Sequence, residues 1–220
     1  MSFQSHYLIC LTISLLYTLG GIGFLVLIDI KQNKRWNKLT PNSKLILSTI
    51  AILNLVAFVL IWLLESNNPL TLGSMSLGEQ AMNAWFQATV PRSSGFNTID
   101  TGAMEHSTAL LTMLLMFIGG GSLSTAGGIK VGTFVILVLC VISFLRRNEE
   151  IRIFNHSVSQ ETTYKALAVT AITGMLVFTG CFILLLLEPK LDALDLMFEV
   201  VSAACTVGLS RGVTGELHDG

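Results

Sequence analysis

Charged side chains are scarce in this sequence. Only 12% of its 220 residues are Asp, Glu, Lys or Arg, about half the share of an ordinary soluble domain. A soluble fold needs more polar surface than this to cover itself, so the composition excludes a typical soluble enzyme and a disordered chain. The formal net charge of −1 gives no basic surface for nucleic acid. The mean hydropathy of +0.69 indicates a membrane protein instead.

Proline and paired cysteine motifs are also scarce. The sequence has 4 prolines against 19 glycines, and membrane helices tolerate glycine better than soluble ones do. Cys10, Cys140 and Cys181 lie within apolar runs, Cys205 lies beside a TVG motif, and none forms a C-x-x-C pair. We interpret all four as small packed hydrophobic residues rather than disulfide or zinc ligands. No GxGxxG or Walker A motif is present, so nothing indicates an ATP-driven pump.

Long apolar runs predict membrane helices, each of which needs about 20 residues to span a bilayer. They cover residues 7–30, 45–64, 109–145 and 166–187. The first is not a signal peptide, because the basic cluster follows the run and residues 1–6 contain no Lys or Arg. The third is too long for one span and is interrupted by GGGSLSTAGGIK. Two shorter apolar helices are predicted at 78–90 and 191–204.

The distribution of cations predicts the orientation of these helices. Nine of the 13 Lys and Arg residues fall in two segments, five at 31–44 and four at 146–165. Positive residues concentrate on the cytoplasmic side of membrane proteins. We therefore expect both segments to be cytoplasmic, with the helices running inward, outward, inward and outward, and both chain ends on the outer side.

The chain repeats one pattern twice, at 43–97 and 163–210: a long helix, a short apolar helix and a loop containing glycine. Irregular backbone at membrane depth survives only inside protein or along a water-filled path. Glycine lets successive carbonyl groups turn toward one axis, where they can replace the hydration shell of K⁺. The repetition favours a selectivity filter over simple glycine turns at the ends of interfacial helices. The predicted filter residues are Ser93, Ser94, Gly95, Phe96 and Asn97 in the first glycine loop and Thr206, Val207, Gly208, Leu209 and Ser210 in the second glycine loop.

A flexible polar stretch divides the third run and is predicted to lie across the ion path as a gate. The alternative is a helix kink packed against a neighbour. Lys130 follows the stretch and is either functional, as intramembrane lysines often are, or extended toward the cytoplasm. The glycine-rich segment consists of Gly119, Gly120, Gly121, Ser122, Leu123, Ser124, Thr125, Ala126, Gly127 and Gly128.

The sequence also predicts structural roles for several other polar residues. Arg92 and Arg211 flank the two glycine loops, and each is expected to pair with a carboxylate that braces its loop. Glu199 is interpreted as a structural partner rather than as a charge that concentrates cations. Asn54 is expected to form an interhelical hydrogen bond. The glycine cluster at 17–24 is expected to allow close helix packing without any ion contact.

Four motifs together resemble the Trk/Ktr/HKT superfamily of K⁺ transporters, and most closely its Ktr-type membrane subunit. They are LGGIGF at 19–24, PRSSGFNT at 91–98, GGGSLSTAGGIKVGTF at 119–134 and TVGLSRGVT at 206–214. The resemblance implies an all-α membrane protein with four M1–P–M2 repeats and re-entrant pore loops of the K⁺ channel-like type.

On that pattern the chain resembles about half a transporter. Residues 1–30 would hold the closing transmembrane helix of repeat two, 31–44 a cytoplasmic loop, and 45–145 all of repeat three. Residues 146–165 would form a second cytoplasmic loop, and 166–220 would be repeat four without its last helix. Repeat one and most of repeat two have no counterpart.

The resemblance also implies a function: K⁺ uptake across the plasma membrane by a multi-pass protein, through a filter gated by residues 119–128. K⁺ would be held by filter carbonyl groups, with Na⁺ as a candidate second ion and no bound cofactor. Gly95 and Gly208 fit the family's preference for K⁺. The implied partners are membrane lipid, a second copy in a homodimer, and a cytosolic nucleotide-binding regulatory subunit of the RCK/KTN type, with no nucleic acid.

Two further hypotheses belong to other classes. The chain could be a non-conducting truncated fragment, or a split subunit that needs another chain to complete the pore. A remote alternative is an intramembrane serine hydrolase with Ser94 or Ser122 as nucleophile and His106 as base, groups that must lie within hydrogen-bond reach.

Overall fold

The structure is a computed structural model that describes residues 6–92, 95–124, 126–147, 152–153 and 156–215. The predicted all-α class is confirmed. In the described residues, β structure consists of one small hairpin, in which β1 (Arg152–Ile153) pairs antiparallel with β2 (His156–Ser157), and one isolated β-bridge between Ile118 and Ile129. Ser93, Ser94 and Thr125, which belong to the predicted filter and gate, lie outside the described residues.

The described part of the chain forms eight α-helices joined by short loops and 3₁₀ turns. They are α1 (Tyr7–Ile22), α2 (Phe24–Asn33), α3 (Pro41–Glu65), α4 (Leu77–Thr89), α5 (His106–Phe117), α6 (Val131–Leu145), α7 (Gln160–Leu187) and α8 (Ala193–Ala204).

Two of these helices are long and apolar enough to cross a membrane. They are α3, with 25 residues, and α7, with 28 residues; α1 and α2 add a third candidate if the bent pair counts as one span. The α3 helix starts at a well-formed N-cap, where the Thr40 hydroxyl accepts a hydrogen bond from the Ser43 amide and Pro41 occupies the first turn. The short helices α4 and α8 agree with the two shorter helices predicted from the sequence.

The first apolar run differs from its prediction as a single helix. It is divided at Gly23 into α1 and α2, which meet at an angle of 95°. Gly23 has φ of 94°, a conformation that side chains other than glycine rarely adopt. A Cβ atom there would also overlap the Ser122 carbonyl oxygen. The prediction of close helix packing is wrong for the Cβ side of Gly20 and Gly21, because no atom from another element lies within 4 Å of their Cβ positions; the close approach at Gly21 is made instead by its carbonyl oxygen and the Gly121 amide.

The third apolar run is interrupted where the sequence predicts. The α5 helix ends at Phe117 and α6 begins at Val131, so the glycine-rich segment separates two half-length helices. Five glycines in this stretch disfavour a continuous helix, since each costs about 1 kcal/mol relative to alanine.

The largest described core cluster packs around the two short helices. Phe86 of α4 and Phe198 of α8 are buried together with Met116 of α5. Cys10 and Cys205 belong to the same cluster, and Cys205 thus behaves as the small packed residue that the sequence predicts. This core fixes the ends of α4 and α8, from which the two glycine loops start.

Candidate functional site

The two glycine loops meet in space. Gly95 has φ of 62° and Gly208 has φ of 83°, so both adopt a left-handed conformation that favours glycine. A Cβ atom on Gly95 would lie 3.2 Å from the Gly208 carbonyl oxygen, and one on Gly208 would lie 3.4 Å from Gly95 Cα. The structure therefore brings together the two glycines that hold equivalent places in the sequence repeat.

The second glycine loop is anchored by alternate side chains. Val207 and Leu209 are buried in the core cluster, whereas Thr206 and Gly208 are exposed. The Val207 amide donates to the Ser202 carbonyl oxygen at 2.8 Å, which ties the loop to the end of α8. One side of this loop therefore faces protein while the other remains open.

The first glycine loop is described from Gly95 onward. Phe96 is exposed, and its ring centroid lies 6.4 Å from that of Tyr17 on α1. The Asn97 amide group donates to the Thr101 hydroxyl at 3.1 Å. The Asn97 contact holds the loop against the turn that leads to α5.

The glycine-rich segment is closed by backbone hydrogen bonds across its two ends. The Gly119 amide donates to Ile129, the Ile129 amide donates to Phe117, and the Val131 amide donates to Gly120, each at 2.9 Å. These bonds satisfy backbone groups that would otherwise be costly at membrane depth. The break in the helix is thus an ordered structure with its own hydrogen bonds.

Lys130 is bonded to the glycine-rich segment itself. It occupies the N-cap position of α6, and its ammonium group donates to the Ala126 carbonyl oxygen at 2.6 Å. The side chain is half-buried. The positively charged ammonium group is therefore bonded to the backbone of the segment that precedes it in the chain.

The glycine-rich segment lies between the bend in the first apolar run and the base of the second glycine loop. On one side, the Gly121 amide donates to the Gly21 carbonyl oxygen at 2.7 Å. On the other side, a Cβ atom on Gly127 would overlap the Cys205 carbonyl oxygen and the Thr206 hydroxyl oxygen. The segment is in direct contact with both neighbours, so a change in its position would displace the backbone at the bend and at the base of the second glycine loop.

Arg211 pairs with a carboxylate, as predicted. Its guanidinium group forms an ion pair with Asp195 on α8. It also donates to the carbonyl oxygens of Thr101 at 2.9 Å and Gly102 at 3.1 Å, beyond the first glycine loop. The side chain is only 6% exposed. A single arginine therefore joins the second glycine loop to the residues that follow the first.

Glu199 acts as a structural partner, in agreement with the sequence prediction. Its carboxylate accepts hydrogen bonds from the Ser210 hydroxyl at 2.6 Å, the Arg211 amide at 2.9 Å and the Thr214 hydroxyl at 2.8 Å. These three donors belong to the second glycine loop and its continuation. The carboxylate therefore holds the outer end of the loop against α8.

The prediction that Arg92 pairs with a carboxylate is wrong. The side chain is 7% exposed, and its Nε and Nη2 atoms are buried without a hydrogen-bond partner. The prediction for Asn54 is also wrong, because its Oδ1 atom is buried without a partner. Both residues line one cavity, and none of its described lining residues is Asp or Glu.

Sequence reasoning gave no role to Glu65, which the structure buries completely. Its carboxylate accepts hydrogen bonds from the Asn68 amide group at 2.9 Å, the Thr71 hydroxyl at 2.5 Å and the Glu105 amide at 2.9 Å. It thus fixes the loop between α3 and α4 and the start of α5. The only sequence signal is an acidic residue that ends a long apolar helix.

The serine hydrolase hypothesis fails on geometry for Ser122. His106 begins α5 and Ser122 lies beyond its end, and the 12 residues of this helix separate them by about 18 Å at 1.5 Å per residue. A nucleophile and its base must lie within hydrogen-bond reach. Ser94, the other nucleophile considered, lies outside the described residues.

Comparison with known proteins identifies the class as membrane cation transporters. The chain matches the family TrkH, described as cation transport protein, over residues 1–219. It belongs to the TrkH family of cation transport proteins and is therefore an integral membrane protein rather than an enzyme.

Curated relatives refine the resemblance to Ktr-type subunits. Ktr system potassium uptake protein B of Bacillus subtilis (strain 168) is 41% identical over 99% of this chain and 48% of the relative. The protein of the same name from Vibrio alginolyticus is 38% identical over 100% of this chain and 48% of the relative. Potassium/sodium uptake protein NtpJ of Enterococcus hirae is 35% identical over 97% of this chain and 48% of the relative. The chain spans about half the length of these relatives.

The crystal structure of the potassium transporter TrkH from Vibrio parahaemolyticus has the same fold. Its TM-score to this chain is 0.74 at 17% sequence identity, and the match covers 91% of this chain and 43% of that chain. The family match and these relatives confirm the sequence-based assignment to the Trk/Ktr group, and this structure shows the shared fold.

Proposed function

We propose that this chain forms part of a K⁺ uptake protein of the plasma membrane, in which the two glycine loops line the selectivity filter. The observation that carries the proposal is the contact between Gly95 and Gly208, each with positive φ, at the ends of two short helices. Relatives named as potassium uptake proteins support the choice of ion.

The chemistry of the proposed filter depends on backbone oxygen. Dehydrated K⁺ needs several oxygen atoms directed at one axis, and the left-handed glycines allow neighbouring carbonyl groups to turn that way. The helices α4 and α8 end at the loops, so the negative ends of their dipoles would favour a cation there. We assign K⁺ contacts to residues 93–97 and 206–210.

The glycine-rich segment is proposed as the gate, with Lys130 holding it in place. Contact of Gly127 with Cys205 and Thr206 would put the segment directly beside the inner end of the second glycine loop. Opening would be a hinge-like change that breaks the hydrogen bond between Gly121 and Gly21. The packed helix kink remains the competing interpretation.

We also propose how the chain divides into repeats. Residues 45–145 would form one M1–P–M2 repeat and 166–220 most of the next, with 1–30 closing an earlier repeat. The segments 31–44 and 146–165 would be cytoplasmic and available to a nucleotide-binding regulatory subunit. A homodimer is expected from the family resemblance, and Na⁺ is a candidate second ion because one relative is named for potassium and sodium.

Growth on low K⁺ tests the proposal. The protein, expressed from its native gene in a bacterium without its own K⁺ uptake systems, should support growth and rubidium uptake. Gly208→Ser should reduce both, because the serine side chain strains a left-handed backbone at the filter. Gly174→Ser is the matched control, since no atom lies within 4 Å of its Cβ position on α7. Equal uptake by Gly208→Ser and the native protein, at equal membrane levels, would contradict the filter assignment.

A further inference from the structure

The α2 helix turns away from the direction of α1. The two helices meet at 95°, and α1, with 16 residues, is about 24 Å long at 1.5 Å per residue. That length is most of the roughly 30 Å of a bilayer hydrocarbon core. With α1 across the bilayer, α2 therefore begins near the membrane surface and runs along it.

The outer side of α2 changes from apolar to basic along its length. Phe24 and Leu27 are exposed. Val26 and Asp29 are buried on the opposite side. At about 100° per residue, position 31 lies between positions 24 and 27 around the helix, and Lys31 is exposed as well. An outward surface with apolar residues followed by cations is typical of helices that lie between lipid and water.

The turn that follows α2 adds three more cations and an exposed aromatic ring. Lys34, Arg35 and Lys38 are exposed, and Trp36 is 53% exposed. In the part of the chain that the structure describes, the side chains of these three cations and of Lys31 take part in no hydrogen bond or ion pair. Four positive charges are therefore presented outward around one tryptophan.

The nearby carboxylate of Asp29 is used to order this turn. It accepts hydrogen bonds from the Asn33 amide group at 2.6 Å and from the Thr40 backbone amide and hydroxyl at 2.9 and 2.8 Å. Lys34 ends α2 in a left-handed conformation, and Leu39 is buried. The turn is thus fixed at both ends, and Asp29 does not neutralise its cations.

We propose that α2 and this turn bind the headgroups of anionic phospholipids of the phosphatidylglycerol class. Ammonium and guanidinium groups complement the phosphate charge, and the Arg35 guanidinium can donate two parallel hydrogen bonds to one phosphate. The Trp36 ring suits the headgroup depth, where its apolar body and its polar N–H are both satisfied. Phe24, which is 63% exposed, would contact the acyl chains. This apolar start of α2 favours a lipid surface over a soluble acidic protein.

Lipid binding at this surface would act on the glycine-rich segment through the bend at Gly23. A Cβ atom on Gly23 would overlap the Ser122 carbonyl oxygen, and the Gly121 amide donates to the Gly21 carbonyl oxygen at 2.7 Å. Headgroups that hold α2 at the membrane surface would therefore hold the bend against the segment. This consequence rests on the proposed gating function, whereas lipid binding does not.

Quenching of Trp36 fluorescence by brominated lipid tests the surface directly. The purified protein is placed in phosphatidylcholine nanodiscs in which an equal, small fraction of the lipid carries bromine near the headgroup, either as phosphatidylglycerol or as phosphatidylcholine. The Trp36 signal is the difference between the native protein and Trp36→Phe, which keeps Trp62 and Trp85. We expect stronger quenching by the brominated phosphatidylglycerol. The difference between the two quenchers should shrink at high salt, which screens exposed charges.

Two outcomes of this measurement would overturn the proposal. Equal quenching of Trp36 by the two brominated lipids would show that the surface does not select anionic headgroups. Absence of quenching by either lipid would place the turn outside the bilayer, where a soluble partner could bind it instead.

Charge variants test whether the cations of the turn cause the preference. A first triple variant neutralises them: Lys34→Gln, Arg35→Gln and Lys38→Gln. Each lost cation should weaken attraction to an anionic surface about fivefold, so the difference between the two quenchers should disappear. A control triple variant removes the same charge from the other segment predicted to be cytoplasmic: Arg146→Gln, Arg147→Gln and Lys165→Gln. Because the signal comes from Trp36, the control should keep the difference.

A preference for phosphatidylglycerol that survives in the first triple variant, or that disappears in both, would reject the surface. All three replaced side chains of the turn are exposed, so the first variant should keep the native melting temperature. None of these measurements requires transport, so their failure is distinct from failure of the proposed function.

Discussion

Arg211 and Asp195 form a largely buried ion pair between the second glycine loop and the first turn of α8. The same guanidinium group donates to Thr101 and Gly102, which follow the first glycine loop. The relative position of the two loops thus depends on one side chain. Arg211 does not belong to either set of residues that the sequence predicts for ion contact.

Removal of Arg211 should therefore disturb the two loops together. Arg211→Gln would leave the Asp195 carboxylate and two carbonyl groups without their donor, at a cost of about 3 kcal/mol in the free energy of unfolding. We expect a lower melting temperature and a smaller preference for rubidium over sodium in uptake. Lys165→Gln is the control, because it removes an exposed ion pair with Glu161 that contributes less than about 1 kcal/mol. Unchanged ion preference in Arg211→Gln would mean that the arginine supports only the fold.

The two loop glycines should differ in their sensitivity to alanine. Both Gly95→Ala and Gly208→Ala introduce a side chain at positive φ, at about 1–2 kcal/mol each. The Cβ atom at position 95 also approaches Gly208 more closely than an ordinary contact allows, whereas the one at position 208 does not. Gly95→Ala should therefore reduce stability and rubidium uptake more than Gly208→Ala. Gly174→Ala, in the middle of α7, should be neutral or slightly stabilising.

The order of these two effects is the informative result. Melting temperatures of the purified variants and uptake at equal membrane levels would measure it. Equal losses for the two alanine variants would indicate that backbone conformation alone decides the outcome. A greater loss for Gly208→Ala would contradict the geometry of the contact.

Sequence patterns predicted the helices well because apolar length and glycine content act locally. The break between α5 and α6 follows from five glycines in ten residues, and both short helices follow from their apolar spacing. The bend at Gly23 was missed because its cause is non-local: the Ser122 carbonyl oxygen occupies the space beside Gly23. A single residue within an apolar run carries no signal of a neighbour 99 positions away in the sequence.

The polar residues show the same difference between features with local causes, which were predicted, and features with non-local causes, which were not. Arg211 lies within a few helical turns of its carboxylates in the sequence, and its pairing was predicted. Arg92 and Asn54 were assigned partners by general expectation, and the structure leaves buried atoms of both without a hydrogen-bond partner. Which of several carboxylates a given arginine reaches depends on helix packing, and packing is not contained in the local sequence pattern.

Alanine at position 127 should displace the glycine-rich segment from the second glycine loop. Its Cβ atom would overlap the Cys205 carbonyl oxygen and the Thr206 hydroxyl oxygen, and overpacking of this kind costs about 1–3 kcal/mol. If the segment is the gate, Gly127→Ala should raise basal rubidium uptake, since the closed position is destabilised. Gly132→Ala on α6 has no atom within 4 Å of its Cβ position and serves as the control. Reduced uptake in a stable, well-expressed Gly127→Ala protein would instead favour a packed helix kink.

Lys130 should stabilise the closed position of the glycine-rich segment. Lys130→Met removes the hydrogen bond to the Ala126 carbonyl oxygen, a charge-assisted bond of about 1.5–3 kcal/mol. It should therefore increase basal uptake and lower the melting temperature by several degrees. Lys44 is a suitable control, because its ammonium group also donates to a backbone carbonyl, that of Asn37 at 3.2 Å, in an exposed loop. Lys44→Met should leave basal uptake unchanged. A fall in uptake for Lys130→Met at equal membrane levels would show that the lysine contacts the ion path rather than restrains the segment. Measurement of uptake across external K⁺ concentrations would separate the two roles, since a restraint changes the maximal rate and an ion contact changes the concentration dependence.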